Sequence, residues 1–146
     1  MKKSKYTQED LTTKEAIWVV IYDEQRRILI QDHVKLNFFT IPIWKVREWE
    51  NIENVMKNEV LTETNLRVLE SRKIWEIEWE YDYDWVKKRI KTLIFEVLTY
   101  EWNLENKEPT KHRSCKFMDL QEIMQLSKIS DATRYFLSTI GLWDIR

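Results

Sequence analysis

Two glutamates four residues apart, Glu59 and Glu63, lie in a stretch that reads as an amphipathic helix. Carboxylates at that spacing share one helix face. Like charges so placed repel unless a cation stands between them. A third carboxylate, Glu50, precedes the helix. Hard divalent cations prefer oxygen ligands, and a positioned carboxylate can also take a proton from water. Such a set therefore suits Mg²⁺ (or Mn²⁺) binding or general-base work on water. The plainer reading is a solvated charge on a helix surface, and spacing alone leaves both open.

The elements around these residues decide where they point. Ala16–Tyr22 is a β-branched and aromatic run that reads as a buried strand, and Arg27–Gln31 as its hairpin partner across the polar turn Asp23–Arg26. Phe38–Ile41 is a short strand that Pro42 ends. Asn51–Thr64 reads as the helix, with Ile52, Val55, Met56 and Val60 on one stripe. Asn65 then suits a left-handed cap. Lys73–Tyr81 alternates with period two, and Val86–Trp102 is its long partner across the turn Asp82–Asp84. A polar loop, Asn103–Lys111, leads to a short strand at Cys115–Met118. Asp119 and Glu122 form a capping-box pair for a helix to about Leu126, and a last helix begins at Ser130 or Asp131 and runs to Ile140, ended by Gly141. This order predicts an α/β (α+β) domain, a mixed sheet between helices. Residues 14–146 form one domain behind a polar segment, 1–13.

The stretch Ile41–Leu66 resembles the signature box of the Nudix (MutT-like) hydrolases. Pro42, Lys45 and Val46 match the lead-in, Glu50 the first glutamate, and Glu59 and Glu63 the second members of the Arg-Glu and Glu-Glu pairs. Val60 and Leu66 fill hydrophobic positions, with no gaps needed. Phe38–Thr40 before the box and Phe117–Leu120 after it look like the family too. The resemblance implies a hydrolase that uses Mg²⁺ or Mn²⁺ and water to split a nucleoside diphosphate linked to another group. It implies Glu59 and Glu63 as catalytic residues. It gives Glu59, Glu63, Glu50 and the Ile43 backbone carbonyl as metal ligands. Lys45, Trp44, Phe39 and Arg27 are candidate substrate contacts.

Several positions depart from the family pattern. Asn58 stands for an arginine and cannot make its bidentate ion pair. Thr62 stands for a glutamate, and Ile43, Trp44 and Asn65 stand for glycines. Where the family adds a distal glutamate, this chain has Lys111 and Ser114, with Glu96, Glu101, Glu105 and Glu108 as possible substitutes. Weaker metal binding or loss of hydrolysis is the physical expectation. The alternative function is then a catalytically impaired module that binds a nucleotide or a protein. Metal binding near Glu63 separates the two.

Other residues carry less. Phe38, Phe39, Trp44, Trp79 and Tyr81 suit either base stacking or core packing. His33 and His112 are isolated and read as surface or loop residues, and Cys115, the single cysteine, as a buried thiol that fits a reducing cytoplasm. A net charge of −1 gives no pull toward nucleic acid or anionic membrane. The longest apolar run, Ala16–Ile21, is too short to span a bilayer. The expected partner is a small nucleotide-type molecule, and the eight tryptophans suggest a homodimer surface.

Overall fold

The computed structural model describes residues 15–47, 50–83 and 86–139. The polar segment 1–13, the last helix's end at Ile140 and Gly141, and the side chains of Trp79 and Tyr81 lie outside the described residues. Strands β1 (Glu15–Ile21), β2 (Ile28–His33), β3 (Phe38–Thr40) and β4 (Ile43–Val46) precede helix α1 (Ile52–Thr64). Strands β5 (Arg67–Tyr83), β6 (Val86–Glu101) and β7 (His112–Met118) follow, then helices α2 (Leu120–Met124) and α3 (Asp131–Thr139). The strands form two sheets, ordered β4-β1-β6-β5 and β3-β2-β7. The first is mixed, because β1 runs parallel to β6 and antiparallel to β4.

The expected β1–β2 hairpin does not form. The two runs meet only at a single bridge between Tyr22 and Ile28, and then enter different sheets. Apolar alternation specifies a strand but not its neighbour. Here β1 finds partners on both sides, in β4 and β6, and β2 pairs with β3 and β7. Strand β3 ends at Thr40, just before Pro42, as expected. The Pro42 carbonyl accepts from Val19 N at 3.0 Å, and β4 begins one residue later. Trp44 therefore stands on a strand, where no positive φ is required of it.

Alternation along β1 places Ile17, Val19 and Ile21 in a core with Met56 and Val60 of α1, while Val20 faces a second core with Phe136 and Leu137 of α3. Burying both faces explains the unbroken apolar run of β1. The β5–β6 hairpin forms as expected, with register shifts near Val68–Ser71 and Lys73–Trp75. These bulges account for Ile74 breaking the alternation.

Helix α1 is capped at both ends. Asn51 accepts from Asn54 N through its side chain. Asn65 adopts the left-handed conformation at φ 65° and returns its N–H to Leu61 O. Its side chain also donates to Asn103 O at 2.9 Å. Substituting Asn65→Ala is expected to cost roughly 1–2 kcal/mol, from left-handed backbone strain plus the lost contact. Urea unfolding of the variant measures it, and Asn65→Gly is expected to recover most of the loss.

Candidate functional site

Glu63 is buried, at 2% exposure, and the helix register explains why. It lies seven residues after Met56 and three after Val60, on the stripe that faces the core. Glu59, one turn earlier, sits half-buried at the edge of that face. Four nitrogen groups face the Glu63 carboxylate. Its Oε1 accepts from Gln31 Nε2 of β2 at 3.1 Å, and its Oε2 from Trp44 Nε1 of β4 at 2.7 Å. Lys111 Nζ stands 3.7 Å from Oε2, and His112 Nε2 3.7 Å from Oε1.

The loop from β6 to β7 brings in these last two groups, and it is fastened to the end of α1. Glu105 N donates to Thr64 O at 2.9 Å and Lys107 N to Glu63 O at 3.1 Å, so the loop satisfies carbonyls that a helix end leaves unpaired. Lys111 N and His112 N both donate to Glu108 O, which folds the loop back over Glu63. Glu108 Oε2 then lies 3.3 Å from Lys111 Nζ. Of the four glutamates considered as a distal acid, Glu108 is the one that reaches this centre. Glu96 and Glu101 pair with Arg72 and Arg67 instead.

The charges interact in physically legible ways. Burial, then the neighbouring Glu63 carboxylate, holds Glu59 above the usual carboxylate range, while Lys111 opposes this. Burial works against the Lys111 charge, but Glu63 and Glu108 outweigh it and raise its pKa. Burial lowers the His112 pKa despite Glu63, with His33 and Lys111 adding to the decrease, so the imidazole is neutral at pH 7. The rings of His33 and His112 meet edge to face at 5.4 Å. Burial pushes the Cys115 thiol up to about 12, which makes it an inert core group.

His112 is thus a correction to the sequence reading. It is 2% exposed on β7, with Nδ1 lacking a hydrogen-bond partner. Strand β7 starts three residues earlier than expected and carries it inward. Burial also lowers the His33 pKa. Imidazoles whose folded pKa is depressed contribute stability that is present above the unfolded value of 6.5 and lost as pH falls through the folded one. Unfolding free energy is therefore expected to fall as pH drops below 6.5. His112→Gln should flatten that slope in urea titrations at stepped pH.

The other predicted site residues divide. Trp44 joins the centre through its indole. Lys45, next along β4, points to the opposite side and is exposed. Ile43 stands opposite Trp18 in the β1 ladder, so its backbone belongs to a strand. Glu50 closes the turn before α1, its Oε1 accepting from Arg47 N at 2.9 Å. Phe39 packs against the second core. Arg27 precedes β2, roughly 13 Å before Gln31 in extended chain, ion-paired with Asp23 at 2.7 Å beside an open cavity of about 350 Å³. Sequence reasoning missed Gln31 entirely. Its signal was a polar residue inside an apolar strand run.

The donor set does not fit a divalent ion. Mg²⁺ needs near-octahedral oxygen ligands at about 2.0–2.1 Å. Both Glu63 oxygens carry N–H donors, and an ammonium occupies the space between Glu63 and Glu108. Among the described residues, no group of three or more His, Cys, Asp or Glu side chains is arranged to hold a metal.

Two sheets between helices, with paired carboxylates projecting from α1 into a polar centre, define the class of this domain. The model of the NUDIX domain matches residues 12–140, and the chain belongs to that family. Solved structures agree on the fold. A MutT NUDIX hydrolase from Burkholderia pseudomallei superposes with a TM-score of 0.71 at 16% identity, covering 88% of this chain and 98% of that one. The NUDIX domain of Shewanella oneidensis NrtR complexed with ADP ribose gives 0.68 at 12% identity, covering 93% and 92%. The E. coli dihydroneopterin triphosphate pyrophosphohydrolase gives 0.62 at 21% identity, covering 86% and 92%. No curated protein matches the sequence. Among the described residues, no helix is long and apolar enough to cross a membrane.

Proposed function

We propose that this chain hydrolyses the diphosphate of a nucleoside diphosphate linked to another group, with Glu59 as the general base. Glu59 carries the proposal. It is half-exposed, in register with the family's catalytic box, and held above the usual carboxylate range by burial and by Glu63. A carboxylate so tuned accepts a proton more readily at neutral pH. Glu63 is the poorer base, because Gln31 and Trp44 engage both of its oxygens. In the reaction, water attacks one phosphorus, its proton passes to Glu59, and the bridging oxygen leaves with the electron pair of the broken P–O bond. Lys111 offsets phosphate charge. The divalent metal that the family resemblance implies has no step here, because the donor set does not fit it.

A second reading is favoured by one observation. The Trp44 indole seals Glu63 Oε2 at 2.7 Å, which also suits a centre that binds a nucleotide without turning it over. The ADP-ribose complex of the Shewanella domain is a fold-level precedent for binding. Incubation with ADP-ribose, nucleoside triphosphates and dinucleotides, with Mg²⁺ or with a chelator, distinguishes the two. Product formation supports hydrolysis. Saturable binding with no product supports the second reading.

A further inference from the structure

Carboxylates from two elements surround one ammonium: Glu63 of α1 and Glu108 of the β6–β7 loop pair with Lys111, and Glu59, one turn before Glu63, acts on it electrostatically. Such a cluster needs a positive charge among its members. Lys111 supplies one, 3.7 Å from Glu63 Oε2 and 3.3 Å from Glu108 Oε2. Its backbone is held on both sides, by Lys111 N to Glu108 O at 2.9 Å and by Val34 N to Lys111 O at 2.8 Å. The ammonium is therefore delivered by a loop that also closes the end of α1.

We propose that Lys111 is the resident cation of the Glu59–Glu63–Glu108 cluster, so that the chain holds its acidic centre together without a divalent metal. An ammonium carries three N–H donors and tolerates ion-pair distances that Mg²⁺ coordination does not. The remaining donors follow the same plan. Gln31 and Trp44 fill the oxygens of Glu63 with N–H groups, where a metal site would leave them open. The inference stands whether or not the centre hydrolyses a diphosphate.

Mn²⁺ titration of the full chain, followed by electron paramagnetic resonance, tests it, with thermal unfolding in the presence and absence of Mg²⁺ as the second readout. The wild type is expected to leave Mn²⁺ free, and its Tm should not respond to Mg²⁺. Lys111→Ala removes a half-exposed side chain, and circular dichroism beside the wild type checks that the fold is kept. It should bind Mn²⁺ at least about tenfold more tightly, as expected when a like charge beside a cation is removed at an effective dielectric constant of about 20. Mg²⁺ should then raise its Tm. Lys111→Arg keeps the charge and should behave as the wild type. Equal Mn²⁺ affinity in wild type and Lys111→Ala would overturn the proposal. So would a Lys111→Ala chain that gains nothing in either readout.

Discussion

Replacing Glu63 by alanine is expected to lower the unfolding free energy by about 3 kcal/mol or more, since each buried donor left unpaired costs roughly 1–3 kcal/mol. The substitution strips the Gln31 amide and the Trp44 indole of their acceptor, and takes from Lys111 one of its two carboxylates. Breaking a buried charge network by removing one partner is costly because the other partners stay desolvated. In a domain of this size the change corresponds to a Tm shift of about 6–12 °C. Urea unfolding should show a lower midpoint at an unchanged m-value. Glu63→Gln keeps an oxygen for one donor but turns an NH₂ toward the other, so it should cost about half as much. A surface glutamate on a solvated helix face would show neither effect, and a loss below about 0.5 kcal/mol would place Glu63 in that class.

Glu59→Gln should act in opposite directions on stability and on rate. The folded-state pKa of Glu59 lies above its ordinary value of 4.5. A raised carboxylate contributes stability that is fully present below the unfolded pKa and is lost as pH rises through the folded one. The neutral amide removes that loss, so the variant should match the wild type in acid and exceed it at pH 7. Because Glu59 is half-exposed, solvent screening keeps the gain below about 1 kcal/mol. Its catalytic effect should be much larger. Removing a general base typically costs about 10²–10⁴-fold in rate, so turnover should fall by that order while nucleotide binding persists. Thermal unfolding across pH and initial-rate assays on the same preparations measure the two arms.

Much of this centre was legible in the sequence, through local signals. Glu59 and Glu63 could be placed on one helix face from their spacing, and Asn51, Asn65 and the Asp119–Glu122 capping box mark helix ends by chemistry that acts within a few residues. The β5–β6 hairpin was legible for the same reason, since its two strands are neighbours in the chain. What escaped was non-local. Nothing in Ala16–Tyr22 states that its partner is a strand more than seventy residues away in β6. The burial of His112 depends on β7 pairing with β2. The position of Lys111 depends on a loop fastened to the carbonyls of Glu63 and Thr64. Glu63 itself could have been assigned to the core from its place seven residues beyond Met56.

The most direct test of the account is turnover of ADP-ribose, nucleoside triphosphates and dinucleotides by the wild type and Glu59→Gln, each with a chelator and with Mg²⁺. The account predicts wild-type hydrolysis of at least one of these substrates, retained in chelator and lost in Glu59→Gln. Hydrolysis that is lost in chelator, hydrolysis that proceeds equally well in Glu59→Gln, or the absence of product from every substrate in both conditions would contradict it.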